Sequence, residues 1–181
     1  MARNIEIKAR LREPDGIRTR LEALGASGPE HLSHTDTFFT VPAGRLKLRD
    51  FGDGTGELIA YQRADMAGPK LSSYHRTPTA TPSALLDVLT RALGTRGVVR
   101  KQRVVYLVGQ TRVHLDEVEG LGSFVELEVV LREDQSIADG DAVAADLLRQ
   151  LRVDAEDLVT HAYIDLLKGA SPSTSDPPPS R

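Results

Sequence analysis

Apolar and polar residues alternate one by one along many short segments of the chain, and residues 4–11 display the pattern plainly. Ile5, Ile7 and Ala9 are apolar, whereas the residues between them carry amide or charged groups. A period of two is that of a β-strand, in which successive side chains point to opposite faces. The pattern predicts strands over residues 4–11, 35–41, 45–51, 57–63, 70–77, 98–108, 111–118 and 123–131.

Four other segments have apolar residues at helical spacing and predict helices over residues 17–24, 82–93, 138–151 and 155–167. Only Gly109 and Gln110 separate two of the predicted strands, which indicates a hairpin. Eight strands with interspersed helices favour an α+β fold with an antiparallel β-barrel or a strongly curved sheet. Residues 169–181 are rich in proline and serine and have no side chains suited to a core, so we predict a disordered tail.

The composition excludes several functional classes. The chain has no cysteine, which rules out disulfides, thiolate metal sites and cysteine nucleophiles. A formal net charge of -3 gives no overall attraction to nucleic acid or to anionic membranes. The N-terminus has no apolar signal stretch, and no apolar run approaches membrane-spanning length. We expect a cytoplasmic protein that binds neither nucleic acid nor membrane, so that any anionic ligand must meet a local cluster of cations.

Charged residues at alternate strand positions are sorted by sign. Residues two apart on a strand share a face. Three such rows carry a single sign: Arg45, Lys47 and Arg49; Lys101 and Arg103; and Glu126 and Glu128. A solvated face is the common explanation of alternating charge. However, like charges on one face repel each other, and a ligand or a metal ion could supply the counter-charge.

Lysine is rare in this chain, and its positions support an inward orientation of these rows. Only five of the 23 basic residues are lysine, and four of these, Lys8, Lys47, Lys70 and Lys101, lie in predicted strands. A compact ammonium group binds phosphate as a point charge. Inside a barrel such cations would surround a polyanion beside carboxylates from Glu6, Asp116, Glu126 and Glu128. Hard divalent cations such as Mg²⁺ bind carboxylate and phosphate oxygens, so the combination predicts phosphoryl-group chemistry.

Five segments, in order, carry a family resemblance. Residues 4–8 read Asn-Ile-Glu-Ile-Lys, close to a Glu-x-Glu-x-Lys hallmark, and residues 46–49 form a basic strand. Residues 99–103 contain a Lys-x-Arg pattern, residues 114–128 form an acidic hairpin, and residues 162–167 form a closing helix. Together they resemble the CYTH superfamily, also called triphosphate tunnel metalloenzymes. The resemblance covers residues 1–168 as one CYTH domain and is closest to the class IV adenylate cyclase branch.

The resemblance implies an eight-stranded antiparallel tunnel, dependence on Mg²⁺ or Mn²⁺, and a triphosphate-containing small molecule as substrate. It implies that phosphates are bound by Lys8, Lys47, Arg49, Arg63, Lys70, Lys101 and Arg103. Metal ligands would be Glu6, Glu126 and Glu128, and the catalytic group would be Glu6, Lys8 and Asp116. Asn4 departs from the hallmark because an amide can bind a metal through oxygen but brings no charge.

Three functions remain open at this point. A class IV-like adenylate cyclase would convert ATP to cyclic AMP and pyrophosphate. A phosphohydrolase would cleave inorganic triphosphate, thiamine triphosphate or a nucleoside triphosphate. A non-catalytic protein would only bind a triphosphate or a nucleotide. A metal-binding pair of His31 and His34 is a weaker alternative, and a homodimer is open.

Overall fold

The computed structural model describes residues 3–63 and 70–170. The strands are β1 (Asn4–Arg10), β2 (Ser27–Phe39), β3 (Arg45–Asp50), β4 (Gly56–Arg63), β5 (Lys70–Thr79), β6 (Thr95–Val108), β7 (Thr111–Val118) and β8 (Gly122–Val130). The helices are α1 (Pro14–Ala23), α2 (Pro82–Leu93), α3 (Ile137–Leu151) and α4 (Tyr163–Ala170). A short 3₁₀ turn covers Ala155–Asp157. No helix in these described ranges is long and apolar enough to cross a bilayer.

The eight strands form one antiparallel barrel in the order β1-β5-β4-β3-β2-β6-β7-β8. Each strand pairs with two neighbours, and β1 closes the ring because it pairs with both β8 and β5. The β1–β5 contact is short, with Asn4 opposite Ser72, Ile5 opposite Leu71 and Glu6 opposite Lys70. The predicted α+β fold with an eight-stranded antiparallel barrel is therefore confirmed.

The apolar residues of the alternating strands point outward on one side of the barrel, where helices cover them. Ile5, Ile7 and Leu127 pack in one buried cluster with Leu147 and Leu151 of α3. The same cluster includes residues of α1, so the helices shield the outer face of the β1–β8–β7 wall. Because side chains alternate along a strand, this outward apolar face forces the polar residues of the same strands into the barrel interior.

Helix α4 closes one end of the barrel. Its Tyr163 and Ile164 join a second buried cluster with Phe38 of β2, Val99 of β6 and Phe124 of β8. Asp165 of α4 binds two guanidinium groups: Arg45 Nη2 on β3 lies 3.0 Å away, and Arg96 Nη2 on β6 lies 2.5 Å away.

The predicted helix over residues 155–167 is wrong. The structure has a 3₁₀ turn over Ala155–Asp157 and begins α4 only at Tyr163. Between them the chain is held against β1, because Leu158 forms a bridge with Ala9 and the Val159 amide donates to the Lys8 carbonyl at 2.8 Å. Hydrogen bonding to a strand edge thus overrides a helical pattern that was continuous in the sequence.

Other boundaries also differ from the predictions; strand β6, for example, begins at Thr95 rather than at residue 98. Strand β2 begins at Ser27 rather than at residue 35, since residues 27–34 pair with the long strand β6. Helix α1 begins at Pro14 rather than at residue 17. Proline is favoured at the first helical position because the missing amide hydrogen would be unpaired there. Gly169 and Ala170 belong to α4, so the predicted disordered tail over residues 169–181 is wrong at these two positions. For residues 171–181, which lie outside the described residues, it stays a prediction.

Candidate active site

The interior of the barrel contains a cavity of about 450 Å³. Its lining draws on all eight strands and on α4. The charged side chains in the lining are Glu6, Lys8, Glu30, Asp36, Lys47, Arg49, Glu57, Arg76, Lys101, Arg103, Arg112, Glu126 and Glu128. The sign-sorted rows therefore face the cavity, except for Arg45, which contacts Asp165 of α4 instead. A solvated outer face does not explain them.

The carboxylate of Asp116 on β7 binds the two cations of the β6 row, Lys101 and Arg103. Arg103 makes a bidentate contact with it, with Nε 2.6 Å from Oδ1 and Nη2 2.6 Å from Oδ2. Lys101 Nζ lies 3.2 Å from Oδ2, and the Tyr163 hydroxyl donates to the same oxygen at 3.0 Å. The side chain of Asp116 is fully buried behind the cavity lining. Its oxygens are occupied by Arg103, Lys101 and Tyr163, so it holds these groups in place.

A second carboxylate, Asp36 on β2, binds two cations of the β3 row, Lys47 and Arg49. Lys47 Nζ lies 2.7 Å from Asp36 Oδ2, and Arg49 contacts both oxygens at 2.7 and 2.8 Å. Burial alone would raise the pKa of Asp36, but Lys47 and Arg49 outweigh it and hold that pKa well below its usual range. Sequence reasoning missed Asp36, although its spacing from His34 and Phe38 was a period-two signal.

The acidic cluster consists of Glu6, Glu126 and Glu128, which face the cavity from two adjacent strands. Glu6 lies opposite Glu128 in the β1–β8 pairing, and Lys8 lies opposite Glu126. Burial would raise the pKa of Glu126, but Lys8 and Arg103 hold it well below its usual range. Burial raises the pKa of Glu128, and the negative charges of Glu126 and Glu6 add to that rise against Arg112.

Within residues 3–63 and 70–170, no group of three or more His, Asp or Glu side chains is arranged as a ready-made metal site. The donor chemistry of the acidic cluster nevertheless fits a hard divalent cation, which prefers carboxylate oxygens. Asn4 is fully buried beside the cluster, and its Nδ2 donates to Glu128. The side-chain oxygen Oδ1 of Asn4 is buried without a hydrogen-bond partner in the described part of the chain. The metal assignment stays a prediction.

Two lysines of the cavity have lowered pKa values. Burial, together with the nearby guanidinium of Arg103, lowers the pKa of Lys101 to about 7. Burial and Arg49 lower the pKa of Lys47 to about 8. Each cation is disfavoured by desolvation and by a like charge on the same strand face. A polyanion bound in the cavity would supply a counter-charge and raise both pKa values.

The remaining predicted phosphate-binding residues cannot be placed in the cavity. Arg63 and Lys70 belong to β4 and β5 by their backbones, but their side chains lie outside the described residues. The weaker alternative of a metal-binding pair of His31 and His34 does not hold, because residues three apart on a strand point to opposite faces. His31 is exposed, whereas His34 is buried and lines the cavity.

Sequence reasoning also missed the role of Tyr163, the first residue of α4. Its ring lies 3.9 Å from the Lys8 ammonium and 5.3 Å from that of Lys101, so both cations contact its aromatic face. Burial and the Asp116 carboxylate raise the pKa of Tyr163 well above its ordinary value, which keeps the hydroxyl protonated. A tyrosine in a helical pattern gives no sign of this contact before the helix is packed on the barrel.

Comparisons with known proteins agree with this geometry. The CYTH domain matches residues 2–163. The chain is 26% identical over 181 residues to the adenylate cyclase CyaB of Aeromonas hydrophila, covering 97% of this chain and 94% of the relative. The solved structure of the PH1012 protein from Pyrococcus horikoshii OT3 has a TM-score of 0.80 and 23% identity, covering 91% of this chain and 99% of that one.

A Hippeastrum protein with a dominant triphosphatase activity is more distant, with a TM-score of 0.60 and 15% identity. The alignment covers 93% of this chain and 96% of that protein. These structural likenesses establish the barrel, and the match over residues 2–163 establishes the family. The chain belongs to the CYTH domain family.

Proposed function

We propose that this chain is a metal-dependent enzyme that acts on a triphosphate inside the barrel, with a class IV-like adenylate cyclase activity. CYTH proteins are metal-dependent enzymes of triphosphates and include adenylate cyclases and triphosphatases. The observation that carries the proposal is the convergence of five cations on one cavity of about 450 Å³. They are Lys8, Lys47, Arg49, Lys101 and Arg103.

These cations are held in advance of any ligand. Asp36 fixes Lys47 and Arg49 by contacts of 2.7–2.8 Å, and Asp116 fixes Lys101 and Arg103 by contacts of 2.6–3.2 Å. Preorganised charges of this kind stabilise phosphoryl transfer because they need no rearrangement as charge develops. In the proposal, Asp116 is thus a positioning residue, in place of the catalytic role suggested by the family resemblance.

The acidic cluster supplies the other half of the proposed site. Glu6, Glu126 and Glu128 would hold a Mg²⁺ or Mn²⁺ ion, with the buried Asn4 beside them. A bound divalent ion would neutralise phosphate charge and polarise the phosphate under attack. Lys8 lies between the two groups of charges, 4.0 Å from Glu126 Oε2 and against the Tyr163 ring, where it would bind a phosphate oxygen next to the ion.

In the proposed cyclase reaction the 3′-hydroxyl of ATP attacks the α-phosphate. The bond between the α-phosphate and the bridging oxygen breaks, pyrophosphate leaves, and the hydroxyl proton is lost to a base. The whole-length similarity to the Aeromonas hydrophila adenylate cyclase supports this reading. A triphosphatase is the second candidate, because the cationic rows by themselves bind phosphates and require no organic group on the substrate.

A product assay separates these activities. The purified protein is incubated with ATP, tripolyphosphate or thiamine triphosphate, each with Mg²⁺ or Mn²⁺, and the products are resolved by chromatography. Cyclic AMP with pyrophosphate supports the cyclase, whereas orthophosphate from any of the three supports the triphosphatase. Tight binding of tripolyphosphate without turnover would instead identify a non-catalytic binding protein.

Affinity for tripolyphosphate is expected to fall as the pH rises. Lys101 and Lys47 lose their protons with pKa values of about 7 and about 8, so both become neutral in the empty cavity above these values. A bound polyanion stabilises the protonated forms, and binding therefore takes up protons. Linkage then predicts that affinity falls by about tenfold per pH unit for each lysine above its pKa.

Calorimetry between pH 6 and pH 9, in buffers of different ionisation enthalpy, measures both the affinity and the proton uptake. Lys101→Met should reduce the pH dependence together with the affinity. Lys168→Met is the matched control, because Lys168 lies on the exposed part of α4 and its loss should change neither quantity. An affinity that stays constant over this pH range would contradict the lysine assignment.

A further inference from the structure

His34 is a buried ring in the cavity with no hydrogen-bond partner. It is 3% exposed, lines the cavity from β2, and lies opposite Lys101 in the β2–β6 pairing. Neither Nδ1 nor Nε2 is hydrogen-bonded to any other group in the part of the chain that the structure describes. An unsatisfied buried polar group costs about 1–3 kcal/mol. A group kept at that cost on a cavity wall points to a ligand that satisfies it.

The ring differs chemically from every cation around it. Burial, with the positive charges of Arg49 and Lys101, lowers the pKa of His34 to about 3, so the imidazole is neutral at neutral pH. A neutral imidazole presents one N–H donor and one acceptor nitrogen, whereas lysine and arginine only donate. Phosphate oxygens accept hydrogen bonds, and the lysines and arginines of the cationic rows can donate them. The acceptor nitrogen therefore suits a ligand group that carries its own N–H or O–H donor.

Lys101 lies opposite His34 on β6, but three apolar residues lie near the ring on the side away from α4. The Phe51 ring lies 5.5 Å from the imidazole, between centroids, and is tilted by 60°. Leu32 lies two residues before His34 on the same face of β2, and Val105 lines the cavity from the neighbouring strand β6. We call Leu32, Phe51 and Val105 the mouth patch.

The mouth patch faces the end of the barrel opposite α4. Strand β2 runs from there toward Phe38, which packs on α4 at the closed end. All three patch residues are only partly buried, although they line the cavity. Phosphates gain nothing from such a wall, whereas a flat organic group would remove its apolar surface from water.

We propose that His34 and the mouth patch bind the nucleoside part of a nucleoside triphosphate and make the cavity select it over inorganic tripolyphosphate. The proposal rests on the function proposed above, since the phosphates must occupy the cationic rows. A nucleoside is uncharged, has a flat base, and carries hydroxyl or amino donors for the acceptor nitrogen of His34. A thiazolium group fits less well, because Arg49, Lys101 and Arg103 surround this region with positive charge.

Binding of two ligands by a small set of variants tests the assignment. Calorimetry measures the dissociation constants of ATP and tripolyphosphate with metal ions chelated, so that no turnover occurs. His34→Ala is expected to weaken ATP binding by about tenfold or more, the equivalent of one lost hydrogen bond to a buried group. Tripolyphosphate binding should stay within about twofold of the unmodified protein, since its phosphates have their own partners.

Further variants keep the test independent of folding. Phe51→Ala should weaken ATP in the same selective way, and His34→Gln, which keeps a donor and an acceptor, should recover part of the loss. His31→Ala is the matched control on the opposite, exposed face of β2 and should change neither constant. Thermal melting of each variant checks that the barrel is intact.

Each other result has a distinct meaning. An equal loss of both ligands in His34→Ala, or no loss of either, would overturn the selectivity assignment. Thiamine triphosphate that bound more tightly than ATP, with the same dependence on His34, would overturn the nucleoside assignment. If the unmodified protein bound neither ATP nor tripolyphosphate, with or without Mg²⁺, the proposed function itself would fail.

Discussion

Replacing Asp116 with asparagine is expected to lower the free energy of unfolding by about 3–5 kcal/mol, the usual effect of removing one partner from a buried ion pair. The carboxylate is fully buried and contacts Arg103 twice and Lys101 once. Asparagine has nearly the same shape but no charge, so the buried guanidinium of Arg103 would lose its bidentate partner. Glu126 would still contact Arg103 at 2.9 Å. Lys101, whose pKa is already lowered to about 7, would lose its contact with the Asp116 carboxylate, which favours its protonated form.

Chemical denaturation with urea measures this change, and Asp134→Asn is the matched control. The Asp134 side chain is 84% exposed, so its loss should change the free energy by less than about 0.5 kcal/mol. Tripolyphosphate should raise the melting temperature of Asp116→Asn more than that of the unmodified protein, because the polyanion replaces the missing charge. Adding Lys101→Met should restore part of the stability.

The pH dependence of stability provides a second check. Burial would raise the pKa of Asp116, but Lys101 and Arg103 outweigh it and hold that pKa below its usual range. The resulting stabilisation is fully present above about pH 4 and is lost as the pH falls toward the lowered value. Asp116→Asn should therefore unfold with a weaker acid dependence. An unchanged free energy of unfolding at pH 7 would contradict the central place given to this carboxylate.

Replacing Glu126 with glutamine is expected to lower metal-dependent turnover by about 100-fold or more, since even the loss of an outer partner of a metal site costs about 10–100-fold. Glutamine removes the negative charge that the acidic cluster would offer to a divalent ion. It also frees Arg103 and Lys8 from a carboxylate at 2.9 and 4.0 Å. Affinity for tripolyphosphate in the absence of metal should therefore be unchanged or higher.

The opposite directions of these two readouts distinguish a metal role from simple damage to the fold. Initial rates over a series of Mg²⁺ and Mn²⁺ concentrations give the first readout, and calorimetry with chelator gives the second. Glu117→Gln is the matched control, because that side chain is exposed on the outer face of β7 and contacts Ser123. A full rate in Glu126→Gln would show that the acidic cluster does not bind the metal.

Much of the barrel could be predicted because alternation is a local property of the chain. The pattern in residues 4–11 requires one apolar and one polar face whatever the strand pairs with, and eight such segments with helices leave few architectures. The inward rows could be predicted for a related reason. A set of like charges such as Arg45, Lys47 and Arg49 is unfavourable on its own, so its presence points to a counter-charge. The structure provides part of that counter-charge with Asp36.

The sequence by itself therefore determined the strands, their two faces and the sign of the charge in the cavity, because each depends on residues two apart. The tertiary structure alone decided which distant groups meet. The Tyr163 hydroxyl reaches Asp116 because α4 packs on the barrel end, and residues 158–159, just before α4, are hydrogen-bonded to β1. His31 lies on the opposite face of β2 from His34, and the ring that contacts His34 is that of Phe51 on another part of the chain. Contacts across a closed barrel depend on register and on packing, which no local pattern encodes.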